Sequence, residues 1–219
     1  MLRICAELAA VVVLVVVGSI LGAATGWLVL APILGMAMPL LAATHFLYRQ
    51  GRGWRDLGFW RRMPPGRFVG LTLASLATAI VLTGFVVTPL LRGLGAPPMD
   101  ASLLAEAVEG NRTNYLLFLI PVAWGSAAFG EEMLLRGFVL QRSAALLGTT
   151  GGVVLQALLF ALGHAYQGIT GVVNLFVVGL VFGYFYLRAG RNLWPVIAAH
   201  GLIDTFSLTL LYMGLAQPA

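Results

Sequence analysis

The sequence has no lysine and very little charge of either sign. Its 13 basic residues are all arginines, its acidic residues number 8, and charged residues make up 10% of the 219-residue chain. Soluble domains carry about 25% charged residues. With 60% hydrophobic residues and a mean hydropathy of +0.94, the composition excludes an ordinary water-soluble domain and predicts a membrane protein with several spans.

Cysteine is nearly absent as well, because Cys5 stands alone. A single cysteine excludes an intramolecular disulfide and leaves the redox compartment open.

The arginines lie in short blocks between apolar runs and not along one helical face, so we predict no nucleic-acid partner. No long linker and no fixed repeat divides the chain. We predict one membrane domain over 1–219, with N-terminal spans and an arginine-rich loop in 1–113 and catalytic core spans in 114–213.

Long apolar runs predict an all-α, polytopic transmembrane helix bundle of about seven spans. Residues 4–48 hold two of them, because one crossing needs ~20 residues, and we read the first as a retained span and not a cleaved signal peptide. The loop 49–67 holds six arginines against one acid, Asp56, which the positive-inside rule assigns to the cytoplasm. The other predicted spans are 68–91, 115–141, 151–167, 169–187 and 193–213.

The number of spans also predicts how the chain is oriented in the membrane. Arg142 and the arginines of 188–191 fall on the same side as the loop 49–67. The N-terminus is then cytoplasmic and the C-terminus outside, in a bilayer that we expect to be a bacterial-type inner membrane. Four tryptophans near span ends are predicted interface anchors: Trp27, Trp54, Trp60 and Trp194. The oligomeric state stays open.

Three charges stand close together inside one apolar span: Glu131, Glu132 and Arg136. Each ionised side chain at membrane depth costs at least ~2.5 kcal/mol on insertion scales, so such a cluster indicates a functional site. Glu132 and Arg136 are spaced i, i+4 and can pair on one helix face. Glu131 is turned by ~100° from Glu132, which leaves it free to face another group.

Two later spans carry the partners of that cluster. Phe160 and His164 are spaced i, i+4, as are His200 and Asp204. A carboxylate and two imidazoles from three helices suit a metal such as Zn²⁺ with an open water position. They equally suit a carboxylate general base with histidines that polarise a carbonyl. Both arrangements activate water, and the residues alone leave the two open.

The three motifs, Glu131-Glu132-x-x-x-Arg136, Phe160-x-x-x-His164 and His200-x-x-x-Asp204, resemble those of the CPBP family of intramembrane proteases. This family comprises CAAX-prenyl proteases and bacteriocin-processing enzymes and is also called ABI. The resemblance covers about 115–210. It implies a helical intramembrane endopeptidase that cleaves a peptide or membrane-protein substrate in a cavity open to the cytoplasm.

The resemblance also implies roles for individual residues. Glu131 becomes the general base, assisted by His164, while His200 and residue 204 stabilise the oxyanion. Glu132 and Arg136 become the supporting pair, and Phe160 is a further structural residue. The family often has Asn where this chain has Asp204, and an ionised carboxylate cannot donate to an oxyanion. Asp204 is therefore either protonated or, as we favour, an acceptor that orients His200. In the metal alternative, Glu131, His164 and His200 hold Zn²⁺.

A non-enzymatic class is the alternative. A transporter would use the Glu, His and Asp side chains as a proton or cation relay, whereas an immunity or scaffold protein would keep the fold and act by binding. The chain shows neither the internal repeat nor the paired broken helices expected of many secondary transporters. The sequence therefore favours the endopeptidase.

Overall fold

The structure is a computed structural model that describes residues 1–59 and 61–215, so the predicted interface anchor Trp60 lies outside the described residues. These residues form helices, turns and connections, and no strand occurs among them. The all-α prediction is confirmed. The α-helices are α1 (Leu2–Ala24), α2 (Leu30–Tyr48), α3 (Pro65–Val81), α4 (Thr88–Gly93), α5 (Ser102–Val108), α6 (Arg112–Leu117), α7 (Leu140–Leu162), α8 (Gly168–Arg188) and α9 (Trp194–Tyr212).

Two segments between these helices have the wider π-helical hydrogen-bonding pattern. Leu82–Val87 joins α3 to α4, and Phe118–Val139 joins α6 to α7. Short 3₁₀ turns lie at Trp54–Leu57 and Ala165–Gln167. The long π-helix Phe118–Val139 packs against α2, α7 and α9, which places it in the middle of the bundle.

Six helical stretches in the described ranges are long and apolar enough to cross a membrane. They are Leu2–Ala24, Leu30–Tyr48, Pro65–Gly93, Arg112–Leu162, Ala165–Arg188 and Trp194–Tyr212. Together with their composition, they define an integral membrane protein built as a polytopic helical bundle.

The 51-residue stretch Arg112–Leu162 is not one straight helix. Gly148 has φ 74° and ψ 169°, a conformation open to glycine and outside the helical region. An ideal Cβ at Gly152 would lie 2.9 Å from the carbonyl oxygen of Leu140, whereas twelve residues of straight helix would separate them by ~18 Å. The chain therefore turns back at Gly148. Counted as two arms, this stretch brings the long helical segments of the described ranges to seven. The arm 149–162, however, is shorter than the ~20 residues that one crossing needs.

The second arm ends earlier than the sequence predicted. Helix α7 stops at Leu162 and the chain reverses through Gly163 and Gly168, the latter at φ 75°. The predicted span 151–167 is therefore wrong at its outer end. As a consequence, His164 lies in the turn between α7 and α8 and not within a helix.

Small residues allow the helices to approach closely within the monomer. A Cβ at Gly18 would clash with the carbonyl oxygen of Leu34, and a Cβ at Gly179 would lie 2.8 Å from the Cα of Ala157. The first contact joins α1 to α2, and the second joins α7 to α8. These spacings serve intramolecular packing, as expected for small residues in membrane helices.

Replacing Gly179 with leucine is expected to destabilise the protein by about 1–3 kcal/mol, because a side chain there would force α7 and α8 apart. Gly70→Leu is the matched control, since Gly70 lies in α3 with open space around its Cβ position. Denaturation of both variants in mixed micelles would measure the effect. Equal midpoints for the two variants would contradict the packing role of Gly179.

Candidate active site

Both glutamates of the predicted cluster project from the π-helix Phe118–Val139. π-helical segments are rare and occur frequently at functional sites. Glu132 is fully buried, whereas Glu131 is only partly buried. Adjacent in sequence, the two carboxylates thus lie in different surroundings, as the helix geometry predicted.

Glu132 and Arg136 form a buried ion pair. Arg136 Nη1 donates to Glu132 Oε1 at 2.9 Å, and both side chains have 0% exposure. The Arg136 guanidinium also lies 4.8 Å from the ring centre of Phe160 and 5.4 Å from that of Phe182, within cation–π range. The predicted i, i+4 pairing is therefore present, and it ties the π-helix to α7 and α8.

The same Glu132 oxygen also holds His200. His200 Nδ1 donates to Glu132 Oε1 at 2.8 Å, while its Nε2 lies 3.5 Å from Asp204 Oδ2. Because a carboxylate can only accept, the bond requires the proton on Nδ1. The i, i+4 spacing pointed to the Asp204 contact, but nothing in the local sequence indicated the Glu132 contact across 68 residues.

His164 is oriented by a backbone group. Its Nδ1 donates to the carbonyl oxygen of Phe160 at 2.9 Å, which leaves Nε2 as the acceptor of a neutral ring. The ring of Phe160 makes edge contacts with both His164 and His200, at centroid distances of 5.0 and 5.9 Å. Phe160 therefore packs against both imidazoles from α7.

Glu131 has a carboxylate oxygen without a hydrogen bond within 1–59 and 61–215, near His164 and His200. Its Oε2 is buried and has no hydrogen-bond partner in the residues that the structure describes. The carboxylate lies within electrostatic range of His164, His200 and Asp204. The structure thus brings together all four predicted catalytic side chains, with Glu132, Arg136 and Phe160 packed around them.

A tyrosine that carried no motif also borders the site. The ring of Tyr166 lies 6.0 Å from that of His164, and its hydroxyl group is within electrostatic range of Glu131 and Asp204. The only signal in the sequence was an aromatic residue two positions after His164. It lies in the 3₁₀ turn Ala165–Gln167 and is 52% exposed.

The connection before α5 is hydrogen-bonded to the turn between α7 and α8. The Asp100 backbone N–H donates to the carbonyl oxygen of Gln167 at 3.0 Å, and the Thr170 hydroxyl donates to that of Pro97 at 2.5 Å. The Ser102 hydroxyl and N–H donate to the Asp100 carboxylate, which lowers the pKa of Asp100. The connection between α4 and α5 therefore packs onto the turn that carries His164.

The predicted zinc set does not form a closed ligand cluster. Within 1–59 and 61–215, no three His, Cys, Asp or Glu side chains are close enough together to hold a metal ion. His164 Nδ1 is hydrogen-bonded to the carbonyl oxygen of Phe160, and His200 Nδ1 is hydrogen-bonded to Glu132. We therefore derive no step through a metal, and zinc stays a prediction.

This geometry gathers carboxylate and imidazole groups at one place inside a membrane bundle. Residues 113–206 match the family described as type II CAAX prenyl endopeptidase Rce1-like. The match spans all three motifs and confirms the resemblance to the CPBP family. The matched part of the chain is similar to that of CAAX-type intramembrane endopeptidases. Neither the curated proteins nor the solved structures contain a match.

Proposed function

We propose that this protein hydrolyses a peptide bond of a membrane-associated protein or peptide, with Glu131 as the base that activates water. One observation carries the proposal. Glu132 is engaged through Oε1 by Arg136 and His200, whereas neither oxygen of Glu131 has a hydrogen bond or ion pair among the described residues, although its Oε2 is buried. Burying such a group is costly, and a role in proton transfer gives a reason for it.

In the proposed reaction, a water molecule gives a proton to the Glu131 carboxylate while its oxygen attacks the carbonyl carbon of the scissile bond. The resulting tetrahedral oxyanion collapses as the carbon–nitrogen bond breaks. Glu131 then returns the proton to the leaving amine. His164 assists through Nε2, which can accept a hydrogen bond from the same water because Nδ1 is committed to Phe160.

His200 is the proposed oxyanion stabiliser, in the doubly protonated form whose positive charge faces the developing negative charge. A neutral ring with its proton on Nδ1 would have no proton on Nε2. Glu132 and Asp204 lie at its two ring nitrogens, so they fix the ring plane, as carboxylates do for functional histidines. Asp204 is 29% exposed and acts on His200 rather than on the oxyanion. This arrangement supports the interpretation of Asp204 as an orienting acceptor, with Glu132 as a second one.

The arginine-rich end of the bundle supports a cytoplasmic approach of the substrate. The loop 49–67 and the α8–α9 turn are joined by hydrogen bonds from Arg61 Nη1 to Gly190 O and from Arg67 Nη2 to Arg188 O. The later arginines thus share one end with the loop, as the span count requires. By the positive-inside rule this end is cytoplasmic, with the N-terminus on that side.

The test is peptide hydrolysis by the purified, detergent-solubilised protein. A quenched-fluorescence peptide library is compared for wild type and His164→Ala, with His45→Ala as the matched control. His45 is exposed at the end of α2, far along the chain from the site. We expect wild type and His45→Ala to cleave alike and His164→Ala to lose about 10²–10⁴-fold in rate.

Metal content is measured on the same samples. Activity that survives chelators, without stoichiometric metal, supports a glutamate mechanism, whereas stoichiometric zinc with chelator-sensitive activity supports the metal alternative. Equal cleavage by all three proteins would refute the role of His164. A complete lack of cleavage by wild type would favour the relay or binding alternatives.

A further inference from the structure

A cationic cavity lies at the arginine-rich end of the bundle, apart from the candidate active site. Its volume is about 240 Å³. Three arginines line it, Arg52, Arg142 and Arg191, together with Gln141 and the apolar residues Leu57, Phe138 and Ala145. No acidic side chain is part of this lining.

The charge of the cavity is only partly neutralised. Arg142 is bound by the buried Glu7, whose Oε2 lies 3.1 Å from Nε, and Arg142 Nη2 donates to Gln50 Oε1 at 2.8 Å. Arg52 and Arg191 have no ion-pair partner in the described part of the chain. Among the described residues, the three guanidinium groups of the lining thus have one neighbouring carboxylate, Glu7, which also pairs with Arg3 at 3.5 Å, so the cavity keeps a net positive charge.

Hydrogen bonds between two loops hold the cavity walls. The Leu193 N–H donates to Gly58 O at 3.3 Å, and Asn192 Nδ2 donates to Arg61 O at 2.8 Å. Gly58, at φ 102°, packs directly on the carbonyl oxygen of Arg191, where a Cβ would clash. Arg191 itself has φ 60°, the one positive value outside glycine in the described ranges. The backbone that carries Arg191 is therefore set before any ligand arrives.

Tyr186 joins two of the residues that line the cavity, Leu57 and Gln141. Tyr186 is fully buried, donates to Leu57 O at 2.9 Å and accepts from Gln141 Nε2 at 2.6 Å. These bonds join α8, the 3₁₀ turn Trp54–Leu57 and the start of α7. A pre-formed pocket with planar, multiply donating guanidinium groups is suited to phosphate oxygens.

We propose that this cavity binds a phosphate group, with the headgroup phosphate of an anionic membrane phospholipid as its ligand. The arginine-rich end of a membrane bundle lies at headgroup level, where basic side chains attract anionic lipids. Inorganic phosphate presents the same chemistry, so the experiment includes it as a second source.

The test uses the full chain, purified in neutral detergent, with phosphatidylglycerol titrated against a phosphatidylcholine background and bound lipid counted by native mass spectrometry. The variant is Arg52→Gln/Arg191→Gln. Its matched control, Arg55→Gln/Arg62→Gln, removes the same charge from exposed positions of the same loop that do not line the cavity. We expect roughly a tenfold loss of phosphatidylglycerol affinity in the cavity variant and little change in the control.

Inorganic phosphate is then added as a competitor. Displacement of the lipid in wild type shows that the site takes phosphate from either source, and retention of the lipid shows that it needs the headgroup in the membrane. Equal losses in the two double variants, or no loss in the cavity variant, would overturn the proposal. Arg52→Gln against Arg55→Gln gives the same comparison if the cavity variant fails to fold.

Discussion

Glu131→Gln is expected to reduce peptide hydrolysis by about 10²–10⁴-fold, the typical contribution of a positioned acid or base. Glutamine keeps the size of the side chain and cannot take a proton from water. Because Glu131 Oε2 has no hydrogen-bond partner in the described residues, the substitution breaks no recorded contact of that oxygen. The unfolding midpoint should therefore stay equal to that of wild type or rise, as happens when a functional strain is removed.

The stability and activity of Glu131→Gln are to be compared with those of Glu132→Gln. The amide oxygen can still accept from Arg136 and His200, but the negative charge that compensates the buried Arg136 is lost. We expect Glu132→Gln to lower the unfolding midpoint, whereas Glu131→Gln lowers activity alone. Glu106→Gln controls for the loss of a carboxylate at an exposed position of α5.

Initial rates with a cleavable peptide and denaturation in mixed micelles would be measured on all four proteins. Retention of wild-type rates by Glu131→Gln would remove Glu131 as the base. Equal destabilisation by Glu131→Gln and Glu132→Gln would show instead that both glutamates are structural.

The sequence predicted those parts of the protein that depend on local spacing. Hydrophobic runs predicted the helical bundle, and i, i+4 spacing predicted the Glu132–Arg136 pair and the Asp204–His200 contact. In order along the chain, the three motifs predicted the family that residues 113–206 match. Each of these features is encoded within one helix or in the order of helices.

Contacts between distant segments were beyond such reasoning. The Glu132–His200 bond and the position of His164 depend on where the chain reverses, at Gly148 and after Leu162. The sequence contains 27 glycines and does not indicate which of them interrupts a helix, because glycine is common in membrane helices. For the same reason the arginine-lined cavity was not foreseen, because its walls come from three separate segments and its arginines looked like topology determinants.

The largest loss of stability is expected from Arg136→Met. This variant leaves the fully buried Glu132 with only His200 as a partner and removes the guanidinium from between Phe160 and Phe182. Breaking one partner of a buried ion pair typically costs about 3–5 kcal/mol. Arg112→Met, at an exposed position at the start of α6, controls for the loss of an arginine.

The double variant Glu132→Gln/Arg136→Met separates charge from packing. If the cost of Arg136→Met comes mainly from the uncompensated carboxylate, removing that charge as well should recover part of the stability, because contacting residues are not additive. Denaturation midpoints and slopes in mixed micelles would give the four free energies of the cycle. A double variant as unstable as the sum of the two single variants would mean that the pair is not coupled, and that Arg136 acts through its contacts with the aromatic rings.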